Sequence, residues 1–244
     1  HTVEEDGILG HLDGHEKYSS VYNVDQTAVY IDMKGRTTVD FVGARTVDVV
    51  QGGSVIGFHV SVFLPALATG HKLAPLVVFA GVPSGPVSQE VFNPSFGAGT
   101  VEHTVQKKAY CDATVMLDWI ERAVNSRQFT HKMASVRDAL QECVPPVVTG
   151  ICQPMDVSVM KAFKNHVTNA YCQYHIEHPF LANPREKRAL MSRIVAKAWD
   201  GIPAKVVANG FVKAGLIPTG PRDSSDRFRI PDVSASDGPL VCDE

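Results

Sequence analysis

The chain has 244 residues and an ordinary globular composition, 44% hydrophobic and 20% charged, which is enough to bury the core of one large or two small domains. Its formal net charge of −3 excludes a polycation that coats nucleic acid along its whole length, so any DNA contact has to come from a local patch. Five scattered cysteines without a C-x-x-C pair, and the absence of an apolar run of ~18 residues, predict a nuclear or cytoplasmic protein that is not secreted and has no transmembrane segment.

The first half of the chain is predicted to be rich in strands. Residues 1–18 are polar and acidic and are predicted to form an irregular lead-in. Apolar, β-branched runs predict strands over residues 19–32, 55–67 and 73–82, and the Gly-containing connection ATGHK between the last two is typical of a hairpin. Three consecutive strands predict an antiparallel meander. Residues 83–100, rich in Gly, Pro and Ser, are predicted to be a long loop.

The second half is predicted to be helical. Helical periodicity covers residues 113–124, 134–143, 157–175, 184–200 and 204–213. Asp112 and Asn183 are candidate N-caps, and Pro184 fits the first position of the helix that it begins. Residues 218–244 are acidic and poor in large apolar side chains, which predicts a disordered tail. Strands first and helices afterwards predict an α/β or α+β domain over residues 19–217.

Two aspartates lie close to the predicted starts of secondary-structure elements. Asp25 lies in NVDQTAVYIDM at the start of the first strand, and Asp156 lies in ICQPMDVSVMKAFK just before an amphipathic helix. A turn residue and a helix cap are the ordinary interpretations of these positions. A shared divalent cation is the alternative, because hard ions such as Mg²⁺ bind through one or two carboxylates. The residues alone leave both interpretations open.

Five blocks of sequence, found in order, point to one family: NVDQT, GARTVDVV, HVSVFLPALATGHKLAPLVVFAG, VPPVVTGICQPMDVSVMKAFK and RIVAKAWDGIPAKVVANGFVKAGL. Together they resemble the DDE superfamily endonuclease domain of pogo-type (Tc1/mariner-related) transposases, over about residues 19–217. The resemblance implies a ribonuclease-H-like fold, DNA strand cleavage and transfer with Mg²⁺ or Mn²⁺, and a homo-oligomer. It matches Asp25 to the first catalytic aspartate and Asp156 to the third, and it places Lys161 and Lys164 where a phosphate contact is expected.

The chain departs from this family at the second catalytic aspartate, which stands at the end of a central strand and is followed by a histidine. His131 resembles that histidine, but the strand and its aspartate are absent, and Asn125 or Ser126 stands roughly in the aspartate's place. Asp118 and Asp138 lie on predicted helices, so neither is expected to replace it. We therefore expect a sheet that lacks one or two strands and a cation site that is weak or absent.

The resulting prediction is a transposase-derived, nucleic-acid-binding domain with impaired catalysis, although whether the chain is an active enzyme stays open. The alternatives are an active metal-dependent transposase and a decayed or mis-spliced transposon reading frame without function. No helix-turn-helix domain is visible, so DNA binding is expected to be non-specific and salt-sensitive, and no membrane partner is expected.

A basic stretch and a histidine cluster complete the candidate sites. Residues 161–199 hold seven Lys or Arg against Glu177 and Glu186, which fits either a solvated helix face or a phosphate-contacting one. Cys172, His175 and His178 have a spacing that suggests zinc. On one helix this spacing drifts away from a single face and no fourth ligand is evident, so we predict a structural role.

Overall fold

The computed structural model of the protein describes residues 21–30, 59–125 and 153–217. In these ranges a mixed four-stranded sheet packs with five α-helices, which confirms the α+β class. The predicted lead-in, the predicted tail and the predicted helix over residues 134–143 lie outside the described residues. None of the helices in the described ranges is long and apolar enough to cross a membrane.

The sheet runs in the order β1, β2, β3, β4. Its strands are β1 (Tyr22–Tyr30), β2 (His59–Leu67), β3 (Leu76–Ala80) and β4 (Glu102–Gln106). The first three pair antiparallel, which confirms the meander, and β4 pairs parallel to β3. Within the described ranges β2 is the one strand neighbour of β1. The expected loss of strands stays a prediction, because residues 126–152 lie outside those ranges.

The region predicted as a long loop contains more structure than expected. A short helix, α1 (Pro86–Val91), lies inside it, and β4 follows it. Pro86 occupies the start of α1, where its fixed φ favours a helix and its missing N–H costs nothing. The sequence analysis missed this helix because Gly and Pro residues, which are typical of loops, lie close to both of its ends. Strand β4 was missed because its sequence, EHTVQ, is mostly polar.

Four longer helices follow, with bounds close to the predicted ones. They are α2 (Ala113–Asn125), α3 (Met160–Glu177), α4 (Pro184–Asp200) and α5 (Ala204–Lys213). Both predicted caps are confirmed: Asp112 Oδ1 accepts a hydrogen bond from the Val115 N–H at 3.0 Å, and Asn183 Oδ1 accepts one from the Arg185 N–H at 2.9 Å. A π-helical turn, Met155–Val159, precedes α3.

The core lies on both faces of the sheet, because successive side chains of a strand point to opposite faces. On β2, Val62 and Leu64 enter the main core beneath α3, α4 and α5, whereas Phe63 and Leu67 enter a smaller cluster around Trp119 of α2. Burial on both sides explains why β2 is an almost continuous apolar run.

Two polar contacts hold the helical layer in place. Arg188 of α4 forms a two-point ion pair with Glu90 of α1, and both side chains are about nine-tenths buried. Lys72 Nζ donates to the carbonyl oxygens of Trp199, Asp200 and Ile202, at 2.7, 2.9 and 2.8 Å. A cation here stabilises the carbonyl groups at the C-terminal end of α4, where the helix dipole is negative.

Candidate metal centre at the start of the sheet

Asp25 lies inside β1 rather than in a turn. It is the fourth residue of the strand and stands opposite Leu64 of β2. Strand alternation gives it the same face as Val29, which is buried in the main core, so the Asp25 side chain points toward the helical layer. The turn interpretation of Asp25 is therefore wrong, because the strand begins three residues earlier than that interpretation requires.

Asp156 lies in the π-helical turn that begins the helical layer. No side chain caps this turn, and its wide hydrogen bond runs from the Met160 N–H to the Met155 carbonyl oxygen. The helix-cap interpretation of Asp156 is thus wrong: the helical conformation already begins at Pro154, so Asp156 lies inside the first turn, two residues past its start. Single π-turns of this kind are common at functional sites.

Glycine at position 210 lets α5 lie against this turn. A Cβ atom on Gly210 would stand 2.6 Å from the Pro154 carbonyl oxygen and 3.3 Å from Ser158 Cβ. On the other side, the Asn23 side-chain oxygen of β1 accepts a hydrogen bond from the Met155 N–H at 3.4 Å. The turn is therefore held between β1 and α5, with Asp156 beside Asp25.

The two carboxyl groups lie within hydrogen-bonding reach of each other. The pKa of Asp25 is raised from its ordinary value of 3.8 to about 6, chiefly by burial and then by the negative charge of Asp156 beside it. Hydrogen bonds from the Gln26 N–H, at 2.7 Å, and from the Gln153 side chain act in the opposite direction. A proton or a cation placed between these two carboxyl groups would relieve the repulsion between them.

The side chains around Asp25 and Asp156 offer oxygen ligands of the kind that a hard divalent ion prefers, but few of them. Two carboxylates and a neighbouring side-chain amide offer oxygen ligands, which Mg²⁺ and Mn²⁺ prefer. A cation between Asp25 and Asp156 would remove the repulsion that raises the pKa of Asp25. In the described ranges, however, no group of three or more His, Cys, Asp or Glu side chains could hold a metal. The residues present fit an ion held by two carboxylates.

The other predicted site residues lie apart from this pair or take other roles. Lys161 and Lys164 are exposed on the first turns of α3, five and eight residues after Asp156. Asp118 is exposed on α2, where its carboxylate pairs with Arg122 at 3.1 Å. Asp138 lies outside the described residues, as do Ser126 and His131.

The histidine spacing does not build a zinc site. His178 Nδ1 lies 3.0 Å from the Tyr174 carbonyl oxygen, and His175 Nδ1 lies 3.3 Å from the His178 carbonyl oxygen. Because carbonyl oxygens only accept hydrogen bonds, both Nδ1 atoms act as donors, and Cys172 and the two histidines do not form a group of three that could hold a metal in the described residues. The predicted structural role fits these contacts.

Three residues that support the carboxylate pair escaped sequence reasoning: Asn23, Gln153 and Gly210. Gln153 is 8% exposed, and its side chain reaches Asp25 across 128 positions of sequence. The first two lie beside the two aspartates in the blocks NVDQT and QPMD, so adjacency was a signal that could have found them. Nothing local marks Gly210, because its role depends on how closely two distant segments approach.

Comparison with known proteins gives one result for the second half of the chain. Residues 127–211 match the DDE superfamily endonuclease family, which is about a third of the chain and includes Asp156 but not Asp25. No curated protein and no solved structure matches the chain.

Proposed function

Since the chain carries a DDE superfamily endonuclease segment over residues 127–211, we propose that it is a transposase-derived domain that binds nucleic acid and a divalent cation but does not cleave DNA. The single observation that carries the proposal is the meeting of Asp25 and Asp156. These acids stand 131 positions apart in sequence, and their carboxyl groups lie close enough for the charge of Asp156 to raise the pKa of Asp25. The pogo-type relationship and a nuclear location are parts of the same proposal.

In this proposal, the carboxylates of Asp25 and Asp156 hold one Mg²⁺ or Mn²⁺ ion. When bound, such an ion neutralises negative charge and orients a phosphate group. The Gln153 side chain and the Gln26 N–H fix the Asp25 carboxylate, which keeps one acceptor oxygen in a constant direction. Asn23 and Gly210 keep Asp156 beside Asp25, because they hold the π-helical turn against β1 and α5.

The loss of cleavage follows from the ligand count. Two-metal phosphoryl transfer needs one ion at the attacking oxygen and a second ion at the leaving oxygen. Two carboxylates do not supply ligands for both ions, and the resemblance noted in the sequence leaves Asn125 or Ser126 roughly where a further acid is expected. An amide or a hydroxyl group is neutral and cannot replace the missing charge.

The nucleic-acid contact is assigned to the beginning of α3. Lys161 and Lys164 are exposed there and lie one to two turns beyond Asp156, so a phosphate that approaches the ion can also meet an ammonium group. Because lysine contacts phosphate and not bases, the binding is non-specific and weakens as salt rises. Filter-binding titrations at two salt concentrations test this, and affinity that does not change with salt contradicts it.

Plasmid nicking tests the proposed lack of cleavage. Wild-type protein and Asp25→Ala are incubated with supercoiled DNA and Mg²⁺ or Mn²⁺, and we expect the same background nicking for both. Nicking that Asp25→Ala abolishes would instead support the second candidate, an active nuclease. Asp138, an acid of the matched segment that lies outside the described residues, would then be the first residue to test, as Asp138→Asn.

A separate measurement addresses the third candidate, a decayed reading frame. Such a chain is expected to lose the few kcal/mol by which domains are stable and to show no cooperative melting transition. A single cooperative transition in circular dichroism supports a folded domain, and its absence would favour decay.

A further inference from the structure

Aromatic and histidine rings cluster at the C-terminal end of α3, far from the carboxylate pair. We name the four residues Tyr174, His175, His178 and Phe180 the ring surface. The rings of Tyr174 and His178 are stacked, with centroids 4.3 Å apart and planes 7° apart. The rings of His175 and Phe180 are also stacked, at 4.5 Å and 27°.

The ring surface is fixed by hydrogen bonds and is partly open to solvent, at His178 and Phe180. Hydrogen bonds from His178 Nδ1 to the Tyr174 carbonyl oxygen, and from His175 Nδ1 to the His178 carbonyl oxygen, fix both imidazoles against the end of the helix. Phe180 is nevertheless 52% exposed. A fixed, exposed aromatic face loses little entropy when a flat ligand stacks on it.

The two helices that lead away from the rings carry a net positive exposed charge, which favours an anionic partner. On α3 and α4 the exposed cations outnumber the exposed anions. The cations are Lys161, Lys164, Arg185, Arg193 and Lys197, and the anions are Glu177, Glu186 and Asp200. Exposed rings beside a basic helical face are the combination that binds single-stranded nucleic acid, because bases stack on the rings while phosphates meet the cations.

We propose that the ring surface stacks bases of a single-stranded nucleic acid whose backbone follows the basic face of α3. The helix sets the geometry: 18 positions from Asp156 to Tyr174 correspond to about 27 Å at 1.5 Å per residue. That length is about eight nucleotides at duplex spacing. A strand anchored on the rings would therefore lead toward Lys164 and Lys161 and then to the carboxylate pair. This inference rests on the proposed function for its nucleic-acid substrate.

The test measures binding of the 244-residue chain to a fluorescein-labelled oligothymidylate about 16 nucleotides long, by fluorescence anisotropy in EDTA. The variant is Phe180→Ala, and the matched control is Phe92→Ala, because Phe92 is 55% exposed at the end of α1. We expect Phe180→Ala to weaken binding about fivefold or more, and Phe92→Ala to leave it unchanged. Circular dichroism confirms that both variants are folded.

Several results would overturn the proposal. Equal affinity of Phe180→Ala and Phe92→Ala would remove the rings from the binding site, and no oligonucleotide binding by the wild type would remove the partner. If Phe180→Ala changes only self-association in analytical ultracentrifugation, the ring surface is a contact between copies of the chain. EDTA removes divalent cations, so this test does not depend on the metal site. The proposal for the ring surface can therefore be refuted without refuting cation binding by the carboxylate pair, and cation binding can be refuted without refuting the proposal for the ring surface.

Discussion

Replacement of Asp25 by asparagine is expected to stabilise the metal-free protein at neutral and alkaline pH. Asparagine has nearly the shape of aspartate and keeps a side-chain oxygen for the Gln26 N–H. It removes the negative charge that burial and Asp156 make unfavourable in the folded state. A destabilised Asp25→Asn variant is the usual expectation for loss of a hydrogen-bonded carboxylate, so the predicted sign distinguishes the two views.

The magnitude follows from the pKa of Asp25. A rise from 3.8 to about 6 sets an upper bound of about 3 kcal/mol at 1.36 kcal/mol per pH unit. Asp25 is only partly buried, so solvent screening reduces this bound to about 1–2 kcal/mol. For a protein of this size, that difference raises Tm by about 2–8 °C.

The stability contribution of Asp25 should depend on pH in a defined direction. The folded protein binds the Asp25 proton more tightly than the unfolded chain does, because the pKa of Asp25 is raised on folding. The contribution of this carboxyl group to stability is therefore fully present below pH 3.8 and is lost as the pH rises through about 6. Asp25→Asn does not titrate, so its advantage over the wild type should be large at about pH 8 and small at about pH 4.

Thermal melts in EDTA, followed by circular dichroism across this pH range, measure the difference. Asp118→Asn is the matched control, because Asp118 is an exposed aspartate in a surface ion pair and should change Tm little at any pH. Asp156→Asn should stabilise less than Asp25→Asn, since it removes the repulsion but leaves the buried charge. A lower Tm for Asp25→Asn at about pH 8 would refute the reasoning.

Three further predictions concern the frame that holds the site. Gly210→Ala should destabilise the protein by about 1–3 kcal/mol in urea unfolding, because its Cβ would meet backbone at 2.6 Å; Gly99→Ala, with nothing within 4 Å, should be neutral. Burial lowers the pKa of His103 from 6.5 to about 4, so the folded protein favours the neutral imidazole, and this contribution to stability is lost as the pH falls from 6.5 toward 4. The variant His103→Gln does not titrate there, so its Tm should change less with pH over this range. Arg188→Met should cost about 3–5 kcal/mol by leaving a buried carboxylate unpaired, whereas the double variant with Glu90→Gln should recover most of that loss, measured by chemical denaturation.

Local signals in the sequence were sufficient for much of the fold. Asn183 and Pro184 predicted the start of α4 correctly because capping and a fixed proline φ act within a few residues. The apolar run over residues 55–67 predicted a strand, and β2 lies within it. Strand β4 and the short helix α1 were missed, since tertiary pairing stabilises them more than their own composition does.

The candidate site was predictable only in part. The resemblance to a known family led to Asp25 and Asp156, and the structure brings these two carboxyl groups together. Whether they act as catalytic or metal-binding residues stays a prediction. The buried Gln153 and the close approach at Gly210 could not be predicted from local pattern, because both depend on segments that lie far apart in sequence.

The most direct test of the central claim is calorimetric titration of Mn²⁺ into the metal-free wild type, Asp25→Asn and Asp156→Asn. We expect one weak site in the wild type, tighter as the pH rises through about 6, and loss of that site in both variants. Retention of wild-type Mn²⁺ binding by either variant would contradict the claim that these two carboxylates hold a single ion.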